Sequence, residues 1–394
     1  MNKRLIALAV AAAVSAPAVV LADDSTVTLY GTLNMDFENV KADGAATGAN
    51  IPSRNRVTQN SSNIGFRGAE DLGGGLKAVF QIEQGVNLDT GASSASTGSF
   101  ATRNSKLGLA GGFGEVFFGN WDTPYKLSTV LGGIDAFYTA GIAQYTDVLS
   151  GNNSPTTANA ANRASFDRRE NNSVQYISPN FSGFGFRAAY AANEEKTNSA
   201  ASPQQDPKLW SVSGSYANGP LYVSLAYEKH DEYANTTTEK SKDTGVKLSA
   251  AYTLFGTTTV GFVAERLEYE GNLATFSGLN KTVTLGTADE AKLDAYYVSL
   301  QHRMGPHTIR GAYGWDRGLK LTGGTGSADA NTKAKMFAVG YSYSMSKRTD
   351  LYALYAKIKN EDNSSNNFSV GTALPAFGAG ADPTGFGVGV RHTF

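Results

Sequence analysis

Thr26-Val27-Thr28-Leu29-Tyr30-Gly31-Thr32-Leu33-Asn34-Met35-Asp36-Phe37-Glu38 decides the fold. Strand side chains alternate between two faces with a period of two. Val27, Leu29, Leu33, Met35 and Phe37 therefore share one face, while Thr28, Thr32, Asn34, Asp36 and Glu38 share the other. The run is long for a globular strand and suits a tilted membrane strand with its flanks. The same alternation returns at Leu221 to Tyr227, Val246 to Ala250 and Phe337 to Tyr343. No strand reads as hydrophobic on both sides, so each polar face is expected to meet water.

The connectors alternate in length. Short ones carry tight-turn residues: Asp71 to Gly75, Gly111 to Gly114, Asn218-Gly219-Pro220, Gly305-Pro306 and Met345-Ser346-Lys347. Long polar ones cover 39–60, 87–102, 193–207, 232–241, 271–291, 320–332 and 362–383. Short turns at one end and long loops at the other are the signature of an outer-membrane barrel. The expected spans are 26–38, 61–70, 75–86, 103–111, 114–121, 171–178, 182–192, 208–217, 219–231, 242–253, 257–270, 292–304, 306–319, 333–345, 348–361 and 384–394. The fold class is all-β, a 16-stranded antiparallel transmembrane barrel wide enough for an aqueous lumen. The even count puts both ends of the barrel on the periplasmic side.

Composition is consistent with export and with a barrel. Met1-Asn2-Lys3-Arg4, the apolar stretch Leu5 to Val14, and Val20-Leu21-Ala22 before Asp23 have the order of a cleaved signal peptide. Residues 1–22 are read as that signal and 23–394 as the barrel. Losing Lys3 and Arg4 takes the formal charge from −1 to −3, which argues against nucleic acid as a partner. The chain has no cysteine, so no disulfide framework is available to it. It carries 19 tyrosines and 20 phenylalanines, many near strand ends where interfacial girdles form. A soluble β-sandwich shares the alternation, but not the girdles or the strict alternation of loop lengths.

The block Ser62-Asn63-Ile64-Gly65-Phe66-Arg67-Gly68-Ala69-Glu70-Asp71-Leu72-Gly73-Gly74-Gly75-Leu76-Lys77-Ala78-Val79-Phe80-Gln81-Ile82-Glu83 resembles the trimeric general porins of Gram-negative bacteria, in their β-proteobacterial form. Val27 to Gly31, Leu109 to Gly119 with Thr123-Pro124-Tyr125, Asn171 to Pro179, Ser346 to Tyr352 and Val388 to Phe394 add to the resemblance, which spans nearly the whole chain after residue 22. It implies a homotrimer in the outer-membrane lipid and a passive diffusion channel for ions and small hydrophilic solutes. The long connector after the fifth strand, about 122–170, is implied to fold inward and narrow the lumen. A substrate-specific porin for saccharides, or for an anion such as phosphate, is the alternative on the same barrel. The chain's aromatic end, with Phe386, Val388, Val390, His392 and Phe394 on one face, looks like the signal read by the barrel-assembly machinery, with periplasmic chaperones acting beforehand.

Charged groups across a waist set what such a pore passes. Asp135 is the leading loop acid, followed by Asp122 and Asp147. Lys106, Arg169 and Arg67 take the lumen parity of the facing wall. Arg103 falls on the other parity unless a bulge intervenes, although it aligns with a basic position of the family. Arg187, Lys247, Arg310 and Arg391 also point inward, at heights the sequence does not give. The family pattern has Lys or Arg where this chain has Thr32 and Asn63, so a thinner basic ladder and weak selectivity are expected.

Other chemistry finds little purchase. Gly73-Gly74-Gly75 and Gly112-Phe113-Gly114 are turn glycines without the following helix of a phosphate loop. His230, His302, His307 and His392 have no metal-ligand spacing, and no nucleophile elbow occurs. No cofactor, metal or enzymatic activity is expected.

Overall fold

A computed structural model describes residues 26–91, 100–138, 141–150, 165–192, 194, 196–198, 200–233, 235, 239–271, 273, 280–281, 288–323, 331–369 and 373–394. The expected signal peptide lies outside the described residues. The strands are β1 (Thr26–Asp43), β2 (Ile51–Gln59), β3 (Asn63–Gly73), β4 (Leu76–Gly85), β5 (Ser105–Gly111), β6 (Gly114–Asp122), β7 (Arg169–Ile177) and β8 (Phe184–Ala191). They continue as β9 (Lys208–Asn218), β10 (Leu221–Asp231), β11 (Lys242–Leu254), β12 (Thr258–Glu270), β13 (Glu290–Met304) and β14 (His307–Thr322). β15 (Ala334–Ser344), β16 (Thr349–Asn360) and β17 (Asp382–Thr393) complete the wall.

All neighbours are antiparallel, and β1 closes the sheet against β17. On its other edge β1 pairs with β3 over its first half and β2 over its second. β2 and β3 are thus one spanning strand interrupted at Asn60 to Ser62, and the barrel has sixteen positions from seventeen segments. At the break, Asn60 N donates to Asn34 O (2.8 Å), and Ser62 Oγ accepts from Asn34 N (2.9 Å). The edge of β1 therefore stays hydrogen-bonded where its partner kinks, as a buried backbone requires.

This pairing corrects the expected connector at 39–60. Most of it is strand: β1 runs on to Asp43, β2 starts at Ile51, and only 44–50 forms the loop. Polar residues such as Asn39, Ser53 and Asn55 mask the continuation, because beyond the apolar band the outward face is polar, while inward Val40, Ala42 and Ile51 are buried in the apolar cluster.

The outer surface follows the parity read from sequence: Leu29, Phe37, Leu107, Phe118, Leu225, Phe337 and Val388 are exposed, as a lipid-facing band should be. The inner surface does not. Val263, Tyr297, Met336, Leu354 and Ile358 point inward and are buried, so strands from β12 to β16 are apolar on both faces along part of their length. The expectation that every inward face meets water fails there because the described part of the connector, 123–138, 141–150 and 165–168, packs on that half of the wall. Its Ile134, Phe137, Ile142, Tyr145, Val148 and Leu149 form one apolar cluster with those wall residues. Burying each large side chain contributes roughly 1.5–3 kcal/mol, which offsets the entropy of ordering a loop inside a pore.

Candidate functional site

The loop enters the lumen through a short helix, α1 (Pro124–Val130). Thr123 caps it by accepting from Lys126 N, and Pro124 supplies the preset φ of a first helical turn. The buried face of α1 then meets the wall: Tyr125 N donates to Ser211 Oγ (3.0 Å), and Thr129 Oγ1 lies 3.2 Å from Ser249 Oγ. Beyond the helix, Ser299 donates to the Ile134 carbonyl, and Tyr297 OH donates to Asp135 Oδ1 (2.6 Å). Farther on, Asn366 Nδ2 donates to Asp147 O (2.9 Å). The contacts thus pass from β9 round to the chain before β17.

Lys247 clamps the stem of this loop. It is fully buried, with Nζ 3.4 Å from Asp167, 3.5 Å from Glu265 and 3.4 Å from Ser150 Oγ. Its ammonium also lies 4.2 Å from the centroid of the Tyr125 ring. The sequence shows Lys247 as inward-pointing; only the folded loop shows that it sits under a lid rather than in open lumen.

The expected basic residues gather on the opposite wall, from β3 to β7, where Arg67 is exposed and Arg103, Lys106 and Arg169 are partly buried. Arg67, Gln81 and Lys106 are register partners in one row across β3, β4 and β5. Arg67 is exposed and stacks 5.1 Å above the Tyr30 ring. Lys106 pairs with Glu115 and lies over Phe117 and Trp121, at 4.7 and 4.6 Å from their centroids. Arg103 precedes β5, so strand parity does not govern it; its Nε donates to Glu83 Oε1 at 2.6 Å. Arg169 Nη2 lies 3.2 Å from Asp122 Oδ1, and Lys126 Nζ lies 3.0 Å from the same oxygen. Asp122 therefore stands beside the cations rather than across from them.

Asp135 and Asp147 are both buried in the seam between loop and wall. Besides Tyr297, Asp135 accepts from Phe137 N (2.8 Å) and Tyr145 N (3.2 Å). Asp147 accepts from Ser369 Oγ (2.5 Å), Ser369 N (2.8 Å) and Gln144 N (3.2 Å). Burial pushes Asp135 up to about 6 and Asp147 up to about 7, against the pull of those donors. A carboxyl raised in the docked state holds more protons there than in the released state. Docking is then most favourable at low pH, and that contribution is lost as pH rises through about 6 and 7. Open-channel current noise is accordingly expected to be higher at pH 8 than at pH 5; equal noise would rule out titration of these two groups in docking.

Sequence reading missed three members of the basic wall's network. Glu83 and Glu115 have the lumen parity that Lys106 also has, which the alternation of β4 and β6 carries in the sequence. Lys126 stands four residues after Asp122, the spacing of a helical ion pair, and the Thr-Pro start of α1 was the cue. Among the described residues, no cluster of His, Asp and Glu is placed to hold a metal.

Known proteins place this architecture. The family profile described as Gram-negative porin matches residues 7–363. Outer membrane porin protein 32 of Delftia acidovorans is 30% identical over 405 aligned residues, covering all of both chains. An outer membrane porin protein of Bordetella pertussis is 30% identical over 434, again covering both. Among solved structures, the anion-selective porin from Comamonas acidovorans superposes with a TM-score of 0.73 at 27% identity, covering 94% of this chain and all of that one. With a full-length match in sequence and a closed sixteen-position barrel, the chain belongs to the Gram-negative porin family, whose members are outer-membrane channels and not enzymes.

Proposed function

We propose that this porin is a passive diffusion channel for ions and small hydrophilic solutes with a weak preference for anions. The observation that carries the reading is the imbalance on the water-facing wall. Arg67, Arg103, Lys106, Lys126, Arg169 and Arg187 stand there with Glu83, Glu115 and Asp122, and among the described residues Arg67 and Arg187 make no ion pair. Asp135 and Asp147, the acids expected across the lumen, spend their oxygens on the loop seam and offer little to a passing cation. Net positive charge at a narrow waist raises the local concentration of anions. The preference is weak because most of these cations are neutralised by a neighbour, and because Thr32 and Asn63 add none.

Planar-bilayer recordings under a potassium chloride gradient test this. The reversal potential should fall on the anion side of zero, and Arg67→Glu should carry it to zero or beyond. A Lys106→Glu variant should move it the same way, since it adds a second acid beside Glu115. A wild-type channel on the cation side, or an Arg67→Glu channel with unchanged reversal, would reject the reading. A size cutoff without saturation in liposome swelling is expected for a general pore; saturation with competition between sugars would instead mark a substrate-specific one.

Three further parts of the reading concern biogenesis and assembly. Residues 1–22 are removed as a signal peptide, the mature chain assembles as a homotrimer, and the Phe394 end is read by the barrel-assembly machinery. Support for the last comes from the seam: Phe394 N donates to Gly31 O and Gly31 N to Phe394 O, both at 3.1 Å. Deleting Phe394 removes both bonds where the first and last strands meet. Heat-modifiable, folded protein in the outer membrane should fall sharply in that variant; undiminished yield would remove Phe394 from any assembly role.

A further inference from the structure

The rim of the barrel at the long-loop end is ringed by outward-facing charges, and most are paired. Lys229 pairs with Asp231, Lys242 with Glu270, Arg266 with Asp294, and Lys292 with both Glu268 and Glu290. The sector from β14 to β16 breaks the pattern: exposed Arg317 and Lys320 on β14 form no ion pair among the described residues. Lys335 on β15 and Lys359 on β16 are direct register partners, so two ammonium-bearing side chains lie opposite each other on the lipid-facing side. Like charges directly opposite on a sheet destabilise it. Both are exposed, and among the described residues neither forms an ion pair. Lys357, two residues before Lys359, shares the same face, while Lys333 precedes β15 and its backbone N donates to Glu361 Oε2 (2.9 Å). Lys357 has only a loose 3.7 Å contact with Asp382.

Depth is set by aromatic residues level with the lysines and below them. Trp315 is the register partner of Lys335 across β14 and stacks on Tyr296, with ring centroids 5.2 Å apart. Tyr313 follows one step down, 5.5 Å from Trp315. Below them run Phe337, Val339 and Leu351 of the apolar band. Aromatic girdles sit at the level of lipid headgroups, so Lys335 and Lys359, in register with Trp315, face the headgroups of the outer leaflet. The chemistry complementary to two opposed, unpaired ammonium groups at that level is a phosphate, which can accept hydrogen bonds from both at once.

We propose that Lys335 and Lys359, flanked by Lys357, form a binding site on the outer wall for the phosphate of a phosphorylated outer-leaflet glycolipid. The anion relieves the repulsion between the lysines, while the acyl chains lie along the apolar stripe of β15 and β16. This sector is on the outside of the barrel and is independent of the lumen charges that set ion preference.

The test titrates purified barrel in detergent micelles with bisphosphorylated lipid A, and in parallel with dephosphorylated lipid A and inorganic phosphate. Native mass spectrometry counts bound lipid. The phosphorylated lipid should bind about tenfold or more tighter than the dephosphorylated one, on the scale expected for two basic groups near a headgroup. The Lys335→Gln/Lys359→Gln variant should lose that difference, while Lys242→Gln, whose lysine already has Glu270, should keep it. Unchanged single-channel conductance shows that each variant is folded. Equal binding of the two lipids, retention of the difference in the double variant, or full competition by millimolar inorganic phosphate would overturn the proposal.

Discussion

Replacing Lys247 with methionine is expected to loosen the lumenal loop and raise single-channel conductance, with more open-state noise. The substitution keeps most of the side-chain volume and removes one charge. Glu265 and Asp167 then face each other in a site with almost no solvent access. Breaking a buried ion pair from one side costs about 3–5 kcal/mol, because the remaining charge is left uncompensated. Glu265 keeps its bonds from Tyr125 OH (2.9 Å) and Ser150 Oγ (3.1 Å), so the stem loosens rather than the wall. Adding Glu265→Gln removes the stranded charge and should recover part of the wild-type current pattern. An unaltered conductance in Lys247→Met would mean that the clamp does not hold the loop.

The second large effect is steric. A Cβ at Gly261 on β12 would overlap the carbonyl of Ile134, so the loop backbone lies directly on the wall at that point. In an open strand, Gly261→Val would raise β propensity and stabilise the protein. With the loop docked, valine forces the Ile134 segment away and takes with it the bond from Ser299 and the nearby anchor of Asp135 on Tyr297. Each buried polar group left without its partner costs about 1–3 kcal/mol. Larger conductance and faster swelling with bulky sugars are therefore expected from Gly261→Val. A variant that is more heat-resistant with an unchanged pore would show that the loop does not touch this wall.

These two residues also show where sequence reading stops. The barrel was legible because a membrane strand advertises itself twice, by period-two alternation and by the length of its connectors. Thr26 to Glu38 and Phe337 to Tyr343 keep the parity that was read from them. The strand at 51–59 was not legible, since Arg54, Asn55 and Arg56 offer no apolar stripe beyond the bilayer. The basic wall was legible by parity, because Lys106 and Arg67 alternate with lipid-facing Leu107 and Phe66. The course of the loop was not. Nothing local to Gly261, Met336 or Leu354 says that an inward position meets another segment of chain instead of water. That information lies in contacts more than a hundred residues apart, such as Tyr297 with Asp135 and Glu265 with Tyr125. For the same reason Asp135 reads from sequence as the leading loop-acid candidate without its partners, which the structure shows to be Tyr297, Phe137 N and Tyr145 N in a buried seam.

The loop after the fifth barrel strand lies docked on the β9 to β17 side of the lumen, away from Arg67 on the basic wall. The chain has no cysteine, so an engineered pair reports without background. Thr129 on α1 and Ser249 on β11 touch through their hydroxyls at 3.2 Å. A Thr129→Cys/Ser249→Cys channel can be oxidised and then reduced while its single-channel current is recorded. Near-complete disulfide formation, with the same conductance before and after reduction, is the predicted result. Failure to cross-link, or a conductance that drops on oxidation and recovers on reduction, would show that the loop normally lies elsewhere.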